Sequence, residues 1–214
     1  MTETIVALIA VGAIAYASIR AAAHLRTLDR LIWTKLALDP EGAPTHAQPG
    51  GDAFHTHILA VARRYLGIEE SPKGSNRGPY IDEFIKFAGL QPPQPWCAAF
   101  VSYVIHKAAD ELGIPTDWPK TASTPQILRY GRQSGKLIAR HEIELGAKPQ
   151  PGDVFLLYYP ALNRVAHTGF VERVLPLGVI TTIEGNTNDQ GGREGYKCAR
   201  RIRRIKSIYA LVRP

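Results

Sequence analysis

PGDVFLLYYPALNRVAHTGFVERV, residues 151–174, is where the chain changes texture. Val154–Tyr159 and Val165–Val174 are short, β-branched and aromatic, and Pro160 and Asn163 separate them, so two strands are predicted. Runs of the same character follow at Val179–Glu184, Tyr196–Ile205 and Ile208–Arg213. Upstream the apolar spacing is helical. Ile58, Leu59, Ala62, Tyr65 and Leu66 share one face ahead of Gly67, and Ile81, Phe84 and Ile85 share another over Tyr80–Ala88, closed by Gly89. Pro92, Pro93 and Pro95 hold off a third helix until Cys97, after which Phe100, Val101, Val104 and Ala108 repeat. A fourth is predicted from Ser123-Thr124-Pro125, with proline in its first turn. Helices followed by an antiparallel set of strands specify an α+β fold.

The 214 residues divide into three segments. Residues 1–38 hold an uncharged run, Ile5–Ile19, that ends at Arg20, with a helical extension over Leu25–Leu38. About twenty apolar residues span a bilayer, so this segment reads as a short membrane anchor drawing on residues 5–23. A signal peptide cut near Ala15-Tyr16-Ala17 and a packed apolar helix are the other readings. Arg20, Arg26, Arg30 and Lys35 follow the run, and basic residues on that side place the rest of the chain in the cytoplasm. Residues 39–52 are rich in Pro, Gly and Ala without periodicity, which is a linker. The folded domain is expected over residues 53–214.

Composition is that of a globular protein, with room for a sizeable core. The formal charge is +7, and Arg193–Pro214 alone carries eight basic residues against one acid. Such a tail suits nucleic acid, anionic lipid or an anionic wall polymer, or is a solvated edge strand guarded by charge. The two cysteines, Cys97 and Cys198, are too few for a disulfide framework, although a single bridge between them fits the count. No paired Cys-x-x-Cys or dense Cys/His cluster points to structural zinc.

Cys97 follows Pro95-Trp96 at the start of an apolar helix. The unpaired N–H groups there favour a thiolate, although a cysteine in this setting also serves as inert packing. An imidazole raises the thiolate fraction and supplies a proton to a leaving group. Of seven histidines, His167 sits on a strand, which holds a base rigidly. His24, His46, His55 and His57 lie in or beside the anchor and linker, and His106, nine residues after Cys97, points about 180° away from it on the helix. His141 is the competitor. Glu184 and Asn186 end the next strand, and residues two apart share a strand face, so both are placed to orient the imidazole. Gly-Asn-Thr-Asn-Asp also suits a plain turn.

Trp96-Cys97-Ala98-Ala99-Phe100-Val101-Ser102, Pro151-Gly152-Asp153-Val154, His167-Thr168-Gly169-Phe170-Val171 and Ile183-Glu184-Gly185-Asn186-Thr187 resemble the CHAP family, the cysteine, histidine-dependent amidohydrolases/peptidases. These are related to the NlpC/P60 peptidases and to papain in plan. The resemblance covers roughly residues 55–214. It implies a papain-like fold, with N-terminal helices on an antiparallel sheet. It also implies Cys97 as nucleophile, His167 as base, Glu184 as the acid that orients it, and Asn186 at the same site. Trp96 either lines the cleft or packs in the core.

The implied activity is peptidoglycan hydrolysis through a thioester, as an N-acetylmuramoyl-L-alanine amidase or an endopeptidase, bacterial or phage. It would act at the cell envelope, with peptidoglycan and no nucleic acid as partner. Some members bind calcium through an Asp-rich loop, but Ser71–Ile81 has no D-x-D pattern, so no cofactor is expected. A catalytically silent wall-binding or scaffold protein on the same fold is the alternative.

Overall fold

The computed structural model describes residues 53–214. The anchor or signal-like segment expected over 1–38 and the linker expected over 39–52 lie outside the described residues. Among the described residues, no helix is long and apolar enough to cross a membrane.

Four helices precede most of the sheet: α1 (Ala53–Arg63), α2 (Pro79–Phe87), α3 (Cys97–Leu112) and α4 (Thr124–Gln133). Each forms where the apolar spacing is helical. Ile58, Leu59 and Ala62 of α1, Ile81, Phe84 and Ile85 of α2, and Phe100, Val101, Val104 and Ala108 of α3 are all buried. Ser123 caps α4 with extended backbone angles, and Pro125 sits in its first turn.

The strands are β1 (Leu137–Ala139), β2 (Val154–Tyr159), β3 (Arg164–Leu175), β4 (Val179–Thr187), β5 (Lys197–Arg204) and β6 (Ala210–Val212), with a short helix α5 (Arg140–Glu144) after β1. They form one antiparallel sheet in the order β1-β6-β2-β3-β4-β5. The fold is α+β, with helices and a six-stranded antiparallel sheet. Alternation along β2 separates the two sides. Val154 and Leu156 join the large core beneath the helices, while Phe155 and Leu157 pack with Val171, Ile180 and Leu211 on the opposite face.

Two features differ from the sequence expectation. β1 and α5 are absent from it, because three half-buried residues and one helical turn are too short to show a period. The basic tail is also not one solvated element. β5 is indeed an edge strand, but β6 returns to the interior between β1 and β2, where Val212 pairs with both Leu137 and Val154. Arg213 pins it there through two hydrogen bonds to buried Asp153, at 2.8 and 3.0 Å.

Candidate active site

Cys97 is the first residue of α3 and is 5 % exposed. The helix starts there because the prolines before it resist helical geometry. Trp96 anchors that start. It is fully buried, its Nε1 donates to Glu70 Oε1 at 2.9 Å, and its ring lies 6.1 Å from that of Phe84. Of the two roles open to Trp96, its burial matches the one in the core, where it belongs to the large cluster beneath the helices.

The Glu-Gly-Asn phrase now has a packing reason. A Cβ on Gly185 would come within 2.7 Å of Trp96 Cζ3 and 2.9 Å of Phe100 Cβ, so glycine lets β4 approach the start of α3. Phe100 and Phe170, edge to face at 6.1 Å, hold the same helix to β3.

His167 lies fully buried on β3, opposite Leu157 of β2. Its Nε2 donates to Glu184 Oε2 at 2.8 Å. The other nitrogen, Nδ1, is buried without a hydrogen-bond partner, the Phe155 ring lies 6.4 Å from the imidazole, and the Cys97 thiol is close enough to act on its charge. Burial alone would lower the His167 pKa. The interactions with Cys97 and Glu184 outweigh it and raise the value to about 9.

Glu184 is also fully buried, a setting that by itself would raise its pKa. Arg203 and His167 reverse that and hold the carboxyl down at about 2. Four contacts converge on it. Besides His167, Thr182 Oγ1 donates to Oε1 at 2.5 Å, and Arg203 donates through Nε to Oε1 and through Nη2 to Oε2, each at 2.5 Å. Glycine again makes the geometry feasible. A Cβ on Gly169, two residues from His167 on the same strand face, would lie 2.6 Å from Ile183 O and 2.9 Å from Glu184 Cγ. The vacant position leaves a path for the Glu184 side chain toward the imidazole.

Asn186 does not join this chain of contacts. A bulge falls between Glu184 and Thr187, with Asn186 at φ 53°, so the alternation that would put 184 and 186 on one face is interrupted. Its Oδ1 accepts from Gly195 N at 3.3 Å, and its Nδ2 is buried without a partner.

The other described histidines are engaged elsewhere. His106 Nε2 donates to Trp118 O at 2.8 Å, His57 pairs with Glu111, and His55 meets Pro214 O. His141 lies exposed on α5, beside a groove of about 320 Å³ that contains none of Cys97, His167 or Glu184. Both cysteines are free, and burial pushes the Cys198 thiol well up. No group of three or more His, Cys, Asp or Glu side chains among the described residues is placed to hold a metal ion.

Residues 90–186 match the CHAP domain family, a span that includes all of α3, β2 and β3 and most of β4. The chain carries a CHAP domain. Cys97, His167, Glu184 and Asn186 all fall inside the matched span. Two solved structures are similar to this chain. One is the crystal structure of Ly7917, at 18% identity and a TM-score of 0.42. The other is Ly7917 with the hydrolyzing product of MDP, at 16% identity and the same TM-score. Each alignment covers 75% of this chain and 62% of the other, so the chain spans less than two thirds of those structures. No curated protein matches the sequence.

Sequence reading missed Thr182, Arg203, Glu70 and Gly169. Arg203 left a signal that went unused. It lies two residues from Arg201 on a strand, and two arginines on one face call for either solvent or buried acids. Glu70 and Thr182 gave no signal, because nothing local marks their partners.

Proposed function

We propose that this CHAP domain is a cysteine-dependent peptidoglycan hydrolase of papain-like plan. It would cut either the amide joining muramic acid to the stem peptide or a peptide bond within stem or cross-bridge, and would act at the cell envelope. The observation that carries this reading is the buried hydrogen bond of His167 to Glu184, with the buried Cys97 thiol near enough to raise the imidazole's pKa. The match to the CHAP family supports the substrate class.

The chemistry follows from those positions. With a pKa of about 9, His167 is an imidazolium at neutral pH, which stabilises a Cys97 thiolate beside it. The thiolate attacks the scissile carbonyl carbon. The oxygen that becomes negative is met by N–H groups of the first turn of α3, which lack intrahelical acceptors. Collapse of the tetrahedral adduct breaks the C–N bond, and His167 gives its proton to the departing amine. Neutral His167 then takes a proton from water, the hydroxide opens the thioester, and the Cys97 thiolate leaves with the imidazolium restored. Throughout, Glu184 fixes the ring through Nε2 and leaves Nδ1 free for the proton transfer.

The test is digestion of purified peptidoglycan by the full chain, with the new ends identified by mass spectrometry. The wild type should release muropeptides, and Cys97→Ala and His167→Ala should each abolish release while keeping the wild-type circular dichroism spectrum. Undiminished release by Cys97→Ala refutes the proposal. Thiol alkylation separates it from a silent wall-binding protein, whose cysteine should label slowly and without a histidine-dependent inflection.

A further inference from the structure

Arg203 takes no direct part in that reaction, yet its position is unusual for the basic tail. Its side chain is only 13 % exposed, against 42 % for Arg200 on the same strand. Ile180 pairs with Arg203 and Thr182 with Arg201, so these residues share the sheet face that carries Glu184. The guanidinium makes a two-pronged contact with Glu184, and its Nη2 shares Oε2 with His167 Nε2. The same Nη2 donates to Gly191 O at 3.3 Å, in the loop between β4 and β5, and the guanidinium carbon lies 5.6 Å from the Phe155 ring centre.

We propose that Arg203 is a positioning residue for the reaction: it locks the Glu184 carboxylate in the plane that holds His167 and tempers the negative charge the imidazole meets. The inference rests on the reading of Cys97, His167 and Glu184 given above. Two physical effects follow. The planar fork of arginine fixes both carboxylate oxygens at once, which a point charge on lysine does not do. Its permanent positive charge, one oxygen away from the imidazolium, opposes protonation of His167. Without that charge the imidazolium would hold its proton to higher pH and release it less readily to the leaving amine.

The groups that bear on this balance are Cys97 from α3, Tyr159 from β2, Arg201 from β5, Arg193 from the β4–β5 loop, and the buried Cys198 thiol. Arg201 and Arg193 do not touch the Glu184 carboxylate in the way Arg203 does. Among the described arginines and lysines, Arg203 is the one that contacts it directly.

The experiment compares the full chain with Arg203→Gln, Arg203→Lys and Arg200→Gln. Three readouts are taken: the NMR titration of the His167 ring, the pH dependence of Cys97 alkylation followed on its own peptide, and muropeptide release. Arg203→Gln should move the His167 titration and the alkylation inflection upward by about half a unit or more, and cut kcat by roughly tenfold or more. Arg203→Lys should keep the titration near the wild-type position and lower kcat with KM little changed. Arg200→Gln should leave the titration in place.

An unmoved His167 titration in Arg203→Gln overturns the proposal, as does wild-type kcat in Arg203→Lys. Should Arg203→Gln fail to fold, the lysine variant decides. If the wild type releases no muropeptide, the hydrolase reading fails by itself, and the titration and alkylation still test Arg203.

Discussion

Glu172 on β3 and Glu184 on β4 are both buried carboxylates on neighbouring strands, and both are gripped by an arginine from β5. Their partners differ in kind. Glu172 meets only arginines, Arg63 from α1 at 2.9 Å and Arg200 from β5 at 2.9 to 3.1 Å. Arginine does not lose its proton in the accessible range, so this cluster is a fixed clamp between α1 and the sheet edge. Glu184 shares its charge between an arginine and an imidazole, and an imidazole can change its charge. Both acids are buried, but one meets only fixed charges while the other also meets a group that titrates. The second partner makes that difference.

The sharpest way to break the comparison is to neutralise each acid in turn. Glu184→Gln should lower muropeptide release by roughly 10²–10⁴-fold, the range of a general acid–base contribution, with a fold still recognisable by circular dichroism. Glu172→Gln should leave most of the release intact and lower stability by about 1–3 kcal/mol, as for hydrogen bonds to charged groups. Equal losses of activity in the two variants would erase the distinction.

A smaller effect comes from pH. His167 is raised from 6.5 to about 9, so its stabilising contribution is complete below about pH 6.5 and fades as pH rises through about 9. Activity should show an alkaline limb in the same region. Glu184 is lowered from 4.5 to about 2, so its contribution is present above about pH 4.5 and is lost as pH falls through about 2. Glu172 is lowered too, so acid weakens both clusters, whereas alkali near pH 9 should reach only the Glu184 side. A thermal-melting series across pH in wild type and in His167→Gln reads this directly, and an alkaline loss of the same size in both would contradict it.

Gly169→Ala should act on one acid alone. The added methyl collides with Ile183 O and Glu184 Cγ, at a cost of about 1–3 kcal/mol, and release should fall further than stability explains. The mildest probe is Trp96→Phe, which removes the hydrogen bond to Glu70 and should cost about 1 kcal/mol in denaturant melts, with neither carboxylate disturbed.

Much of the fold was legible because burial imposes a period on each element. Phe100, Val101, Val104 and Ala108 announce a helix, and the run from Val154 to Tyr159 coincides with β2 at both ends. The placement of Cys97 was legible for a similar local reason, the prolines before it and the apolar spacing after. Asn186 was not, since alternation predicts a shared face with Glu184 and the bulge with its positive φ interrupts that alternation. Trp96 was ambiguous, because a ring before a helix can face inward or outward.

Local sequence sets the alternation of apolar residues, the start of the cysteine helix and the strand that carries His167. Each is set by neighbours a few residues away. The tertiary structure decided that Arg200 faces Glu172 and Arg203 faces Glu184, that β6 returns between β1 and β2, and that Gly169 and Gly185 are needed for close approach. Arg203 lies 19 residues from Glu184, and only strand register brings the two together. Charge pairing across a sheet depends on which strands are adjacent, and a local pattern carries no record of that.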